Sequence, residues 1–207
     1  ETFALSPDKV TSIHLGVSDQ YFPRNAALCS SVISTYGLVY KQFLLFVSTI
    51  EPRKNVLRLL QAFQLYRESN NEGLPLVLIG GYGWNNEEEH KKIRELEAKG
   101  WIKYLGYVKQ SEIPFLYAAS KGLIFPSLYE GFGLPVAEAM QSGTSVVTSE
   151  NSAMSEFSAE EVYQVNPHDV ESIKDGIVSL VQSQTQSKPV IFDWSSCVKS
   201  TIDVYRV

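Results

Sequence analysis

The stretch Pro126-Ser127-Leu128-Tyr129-Glu130-Gly131-Phe132-Gly133-Leu134-Pro135-Val136-Ala137-Glu138-Ala139-Met140 decides how this chain is read. Just before it, Gly122-Leu123-Ile124-Phe125 is a short apolar run between punctuating residues, the pattern of a buried strand. Pro135 suits the opening of a helix, where its missing N–H removes no hydrogen bond. Strand, glycine-bearing loop and helix, in that order, aim backbone N–H groups and the positive end of a helix dipole at one point, which favours an anion. Gly131 and Gly133 open backbone conformations closed to other residues and let a ligand approach closely. Two carboxylates bracket the turn, Glu130 in the loop and Glu138 in the helix's opening turns. A carboxylate repels a phosphate, so both are read as acceptors for neutral hydroxyl donors. A ligand with phosphates in its middle and hydroxyls at both ends, the shape of a nucleotide-sugar, satisfies all these groups. The spacing alone equally suits plainer roles: Glu138 complementing the helix dipole and Glu130 a solvated loop charge.

Working outward, residues 43–48 read as an apolar strand, 49–54 as a polar loop, and Leu57, Leu60, Ala62, Phe63 and Leu65 recur at helical spacing beyond it. Residues 74–79 form a second apolar run ending at Gly80-Gly81-Tyr82-Gly83. The charged segment 87–99 predicts a helix with Ile93, Leu96 and His90 as a thin inner stripe. A third strand is predicted over 102–108, and a short helix over 111–119 with Ser111 as its N-cap. After the quoted stretch, Gly143 closes a helix over 135–142. Strands over 145–149 and 161–165 and helices over 170–182 and 193–205 follow. Upstream, Ser6-Pro7-Asp8-Lys9 signals a turn or helix start, 10–15 a strand, 16–19 a turn and 26–36 a helix. This alternation predicts parallel βαβ units, hence an α/β fold with a Rossmann-like open parallel sheet flanked by helices. Ligands of such sheets bind outside the carboxyl ends of the strands, where the polar loops converge.

The 207 residues, 44% hydrophobic and 20% charged, suit one large globular domain or a domain with an appendage. A net charge of −5 argues against non-specific nucleic-acid binding, which needs a basic face. No apolar run approaches the roughly 18 residues of a membrane span. Cys29 and Cys197 make neither a disulfide framework nor a metal-ligand spacing and read as cytosolic thiols. The expected location is cytoplasmic, with a peripheral membrane association left open for a full-length protein. His14, His90 and His168 are scattered and no Asp-x-Asp stands in a suitable loop, so neither a metal nor any other cofactor is expected. The chain opens on Glu1 without a signal-peptide pattern, which raises the expectation of a fragment.

Glu130 and Glu138, eight residues apart within residues 125–140, closely resemble the donor-site signature of the retaining glycosyltransferases of family 4, of the two-domain GT-B type. The resemblance covers roughly residues 10–207. It implies a linker from an N-terminal half over 1–40, a nucleotide-sugar donor-binding domain over 41–192 and a crossover helix over 193–207, with Trp194 a packing anchor. Arg53 and Lys54 stand where a helix dipole disfavours cations unless an anion lies there. With Asn55 they resemble the family's donor-phosphate motif, which implies that the pair steadies the leaving diphosphate. The resemblance further implies that Glu138 binds the ribose hydroxyls and Glu130 the hydroxyls of the transferred sugar. Gly131, Phe132, Gly133 and Leu134 then line the sugar and phosphates, and the backbone at Tyr107 and Val108 meets the base. Glu130, Arg53 and Lys54 are the implied catalytic residues. Retention leaves open whether Glu130 is a nucleophile or substitution occurs on the front face.

Two positions depart from the family pattern. Ser48 stands where glycine is frequent, and its side chain narrows the donor's approach; Ser155 replaces a proline in the loop 151–156, so Glu156 is given no role. The implied activity is metal-independent transfer of a glucosyl, mannosyl or galactosyl group from a UDP- or GDP-sugar to a saccharide or lipid-linked acceptor. The acceptor would be held by an N-terminal domain that this chain lacks. The alternative is a nucleotide-sugar binding module without turnover. Dehydrogenase-type dinucleotide binding is disfavoured, because the first strand–loop–helix lacks Gly-x-Gly-x-x-Gly.

Overall fold

Three strands, β1 (Leu44–Val47), β2 (Leu76–Ile79) and β4 (Gly122–Phe125), are apolar along their whole length because both faces are covered. The computed structural model describes residues 6, 9–84, 86–185 and 187–206. In it, these strands join β3 (Ile102–Gly106), β5 (Ser145–Ser149) and β6 (Val162–Val165) in one sheet of order β3-β2-β1-β4-β5-β6. Every neighbouring pair is parallel. The chain runs outward from β1 to β3, returns to β4 on the other side of β1, then runs outward again to β6. The strand order reverses between β1 and β4, and their carboxyl ends therefore splay into a crevice.

Seven helices accompany the sheet among the described residues: α1 (Ala26–Thr35), α2 (Val56–Ser69), α3 (Glu87–Ala98), α4 (Ile113–Ala119), α5 (Leu134–Gln141), α6 (Val170–Gln182) and α7 (Trp194–Tyr205). None is long and apolar enough to cross a membrane. The core sits on both faces of β1 and β4, where the fully buried rings of Phe46 and Phe125 stack 6.1 Å apart. α2 and α6 pack against one another over it. Gly176, in the middle of α6, is required by this packing: a Cβ there would lie 2.5 Å from Val165 and 3.0 Å from Val147.

The elements follow the sequence pattern with a few differences, among them a 3₁₀ segment, Ser152–Glu156, in the loop after β5. Residues 10–15 are no strand: the sheet could gain a strand only at the outer edge of β3 or β6, and this segment crosses beside the crevice instead. The helix expected from Ser111 starts at Ile113 without a side-chain cap, and Pro114 sits in its first turn, where a missing N–H is tolerated. β3 stops at Gly106, whose φ of +63° ends the ladder before Val108. The loop 49–54 contains a 3₁₀ turn, Pro52–Lys54. Pro7 and Asp8 of the expected N-terminal turn lie outside the described residues.

Two distant segments meet beside α5. The Val17 amide donates to the Phe192 carbonyl at 2.8 Å. The buried side chain of Gln141 donates to the carbonyls of Ser18 and Tyr21 at 2.9 and 3.0 Å and accepts from the Phe192 amide at 3.0 Å. Trp194 lies so close over Gly16 that a Cβ there would be 2.4 Å from its ring, while half of the tryptophan stays exposed.

Candidate active site at the sheet's switch point

The sequence-predicted residues lie on segments leaving the carboxyl ends of β1, β3 and β4. Asn55 fixes the first of these. It adopts the left-handed conformation (φ 59°), where Asn is tolerated better than most residues, and its side-chain amide donates to the Pro126 and Pro167 carbonyls at 3.0 and 2.6 Å. The Leu128 amide donates to the Arg53 carbonyl at 2.9 Å. Thus the loops after β1 and β4 are held as one unit before any side-chain charge is considered.

On that frame Glu130 meets both cations. Lys54 Nζ donates to Glu130 Oε1 at 2.6 Å, and an Arg53 guanidinium nitrogen donates to Oε2 at 2.7 Å. The other terminal nitrogen of Arg53 binds Glu51 Oε1 at 2.9 Å. The Ser127 hydroxyl lies 2.8 Å from Glu130 Oε1 and 3.0 Å from the Arg53 carbonyl, so its single proton serves one of them at a time. Lys54 and Glu130 are buried, whereas Arg53 is partly exposed. Burial alone would push the Glu130 carboxyl up. Hydrogen bonds from Lys54 and Ser127, with the charges of Lys54 and Arg53, outweigh it and hold the group below its ordinary value.

This arrangement gives the three charges partners that the sequence reading did not assign. Glu130 was read as an acceptor for neutral hydroxyls, yet both its oxygens are held by cations, because parallel neighbours β1 and β4 bring oppositely charged loops together. Arg53 and Lys54 were read as awaiting an outside anion, yet Glu130 and Glu51 already supply negative charge. Donor capacity nevertheless remains. Lys54 has three N–H bonds, one of them on Glu130, and Arg53 has five, three of them on Glu130, Glu51 and the Tyr129 carbonyl.

The two glycines differ. Gly133 is the N-cap of α5 with φ +92°, and a Cβ there would lie 2.0 Å from Met154, so no other residue fits without rearrangement. Gly131 has no such φ and nothing within 4 Å of a built Cβ; it leaves open space and needs no special conformation. A cavity of about 600 Å³, within the range of small-molecule sites, lies in front of this turn. Lys54, Glu130 and residues 131–135 form one wall; residues 12–15, Ala153 and Glu156 form the other. Across that second wall His14 Nε2 lies 2.9 Å from Glu156 Oε2, and the His14 ring lies 5.8 Å from Phe132. Ser48, half-buried at the end of β1, is not among the lining residues.

Glu138, Tyr107, Val108 and Arg53 do not line this cavity. Tyr107 is exposed and Val108 buried after β3. Glu138 follows Leu134 by one helical turn and faces the phenols of Tyr21 and Tyr117. Burial pushes its carboxyl above the ordinary value, and the two phenols offset part of that rise. The Gln110 side chain lies 3.3 Å from the Tyr21 hydroxyl, while the fully buried Tyr117 hydroxyl has no partner at hydrogen-bond distance. Sequence reasoning missed Tyr21, Tyr117, Ser127 and Glu51, and it placed Asn55 in the phosphate motif without its part in joining the two loops. Ser127 and Glu51 had a signal, each lying within three residues of a charge it serves. Tyr21 and Tyr117 had none, since they are distant in sequence and meet only through packing, ring centroids 5.7 Å apart.

Comparison with known proteins places this geometry in context. The family model described as "Glycosyl transferases group 1" matches residues 39–191. The chain is 35% identical over 216 aligned residues to the O-antigen chain mannosyltransferase B of Escherichia coli, covering 99% of this chain and 56% of that protein. It is 29% identical to the MMP alpha-(1->4)-mannosyltransferase of Mycolicibacterium hassiacum, covering 99% of this chain and 50% of that one. The chain thus spans about half the length of these relatives. Among solved structures, Anabaena HepE in complex with UDP and glucose superposes with a TM-score of 0.79 at 18% identity, over 94% of this chain and 56% of that one, a likeness of fold. The family match spans most of the chain and includes the loops that hold Arg53, Lys54 and Glu130: this chain belongs to the group 1 glycosyl transferases, with a GT-B-type donor-half fold.

Proposed function

We propose that the chain is the donor-binding half of a retaining glycosyltransferase that moves a hexosyl group, mannosyl foremost, from a UDP- or GDP-sugar to a saccharide or lipid-linked acceptor. The observation that carries this reading is the Arg53–Glu130–Lys54 cluster at the switch point of the sheet, with Lys54 and Glu130 lining a cavity in front of α5. The preference for mannose rests on the mannosyltransferase relatives alone.

In this reading the N–H groups of Lys54 and Arg53 not engaged with carboxylates take the diphosphate. Their charges are worth most as the sugar–phosphate bond breaks and negative charge grows on the leaving oxygen. Glu130, kept ionised by its neighbours, faces the sugar and stabilises positive charge at the anomeric carbon, as a front-face partner or as a nucleophile. The positive end of α5 adds to the field on the phosphates. Glu138 takes the ribose hydroxyls, and backbone at Tyr107 and Val108 meets the base. No metal takes part, because the cations do its work. The acceptor is supplied by the other half of the protein, and without it the chain binds donor with little turnover.

Calorimetric titration of UDP, GDP and their glucose, mannose and galactose conjugates tests this. One base family should bind, with Glu138→Ala and the Arg53→Ala/Lys54→Ala pair each weakening it, and EDTA leaving it unchanged. Silence towards every nucleotide in a folded sample would sink the reading.

A further inference from the structure

At the amino ends of the strands, opposite the switch-point crevice, lies a second cavity of about 530 Å³. It opens beside Lys41 ahead of β1, Lys121 ahead of β4 and the Ser142–Gly143 turn ahead of β5, with Arg24 completing the wall. Three cations share it, and no described Asp or Glu lines it. Among the described residues none of the three forms an ion pair, in a chain whose net charge is −5.

What holds these cations is backbone. Arg24, 9% exposed, donates to the Gln20 and Phe22 carbonyls at 2.7 and 3.2 Å and lies over the rings of Phe22 and Phe115. Lys41 Nζ donates to the Ser120 carbonyl at 2.8 Å, and Lys121 Nζ to the Ser183 carbonyl at 2.7 Å. Both carbonyls stand at the ends of helices, so part of each lysine's role is to complement a helix dipole. That role uses one N–H of each ammonium and leaves two on each. It also leaves the positive charge largely uncompensated: burial, with Lys121 beside it, pushes the Lys41 ammonium down to about 8. A separate group points the same way. Ser142 is 2% exposed, lines this cavity, and its hydroxyl has no hydrogen-bond partner.

We propose that this cavity binds a phosphate-type oxyanion, held by the ammonium groups of Lys41 and Lys121 and the hydroxyl of Ser142, with the Arg24 guanidinium adding to the positive field. Such a ligand neutralises charges that the chain itself leaves unpaired and gives the Ser142 hydroxyl an acceptor. Inorganic phosphate and the phosphate of a lipid headgroup share this chemistry.

The test is titration of inorganic phosphate into the 207-residue chain at constant ionic strength, followed by amide chemical shifts. It is run in parallel on the Arg53→Ala/Lys54→Ala chain, so that binding in the crevice is read separately. Shifts at residues 41, 121 and 142–143 that persist in that chain are expected. Lys121→Met should weaken them by about tenfold, the worth of one charge-assisted hydrogen bond, and Ser142→Ala severalfold. Ser142→Ala removes a single oxygen, which keeps the test valid even if the lysine variant folds poorly. Shifts confined to residues 53–54 and 130–135, or binding indifferent to both Lys121→Met and Ser142→Ala, would overturn the proposal. Phosphatidylcholine vesicles with and without phosphatidic acid identify the source. Lys121-dependent capture by the acidic vesicles assigns a lipid headgroup, and phosphate binding without capture assigns a soluble ligand.

Discussion

Glu130 and Glu138 are two carboxylates on one loop-and-helix unit, and their surroundings drive them in opposite directions. Glu130 is held below its ordinary value of 4.5 by Lys54, Ser127 and Arg53, so its pairing stabilises the fold at neutral pH. That contribution is full above the unfolded value and is lost as pH falls through the lower folded one. Acid titration of the folded chain should show stability falling below about pH 4. The fall should be shallower in Glu130→Gln, which in urea unfolding should lose about 3 kcal/mol by leaving buried Lys54 without its carboxylate. Glu138, raised by burial, carries the reverse sign: its charge opposes folding once pH exceeds the unfolded value. Glu138→Gln should therefore keep or raise the melting temperature while weakening nucleotide binding, a stability–function trade-off. Equal loss of both properties would mean that Glu138 is a structural group.

At the scale of elements, two residues with left-handed backbone set the site. Gly133→Ala brings a Cβ within 2.0 Å of Met154 at φ +92° and should destabilise the chain by about 2–4 kcal/mol in urea unfolding. Gly131→Ala, with nothing near its Cβ, should leave stability within about 0.5 kcal/mol. Asn55→Ala loses two buried hydrogen bonds and keeps the strained φ, so a loss of about 3 kcal/mol is expected. These contrasts also show what was legible beforehand. The apolar runs of β1, β2 and β4 and the periodic face of α2 were readable because each is buried by its own local pattern. Residues 10–15 have the look of a strand but run beside the crevice rather than along the free edge of β3 or β6, and where a segment runs is a property of the whole sheet. The charges of the site were legible as types, but not that Glu130 would pair with Lys54, since 76 positions separate them and only strand order brings them together.

At the scale of the molecule, stability is uneven. α7 has no buried residue, and Trp194, Val198, Ile202 and Tyr205 form an exposed stripe at helical spacing. Amide hydrogen exchange should find α7 opening first and β1 and β4 last, by orders of magnitude in rate. Protection of α7 equal to that of β4 in the chain alone would show that the stripe is already covered. The segment around Val17 and the segment around Phe192 are bonded to each other and both clasped by Gln141. Mechanically, that makes a double-stranded joint rather than a single tether. Any body carried on these two segments would be held at two adjacent points, and loss of the Gln141 amide would loosen both at once.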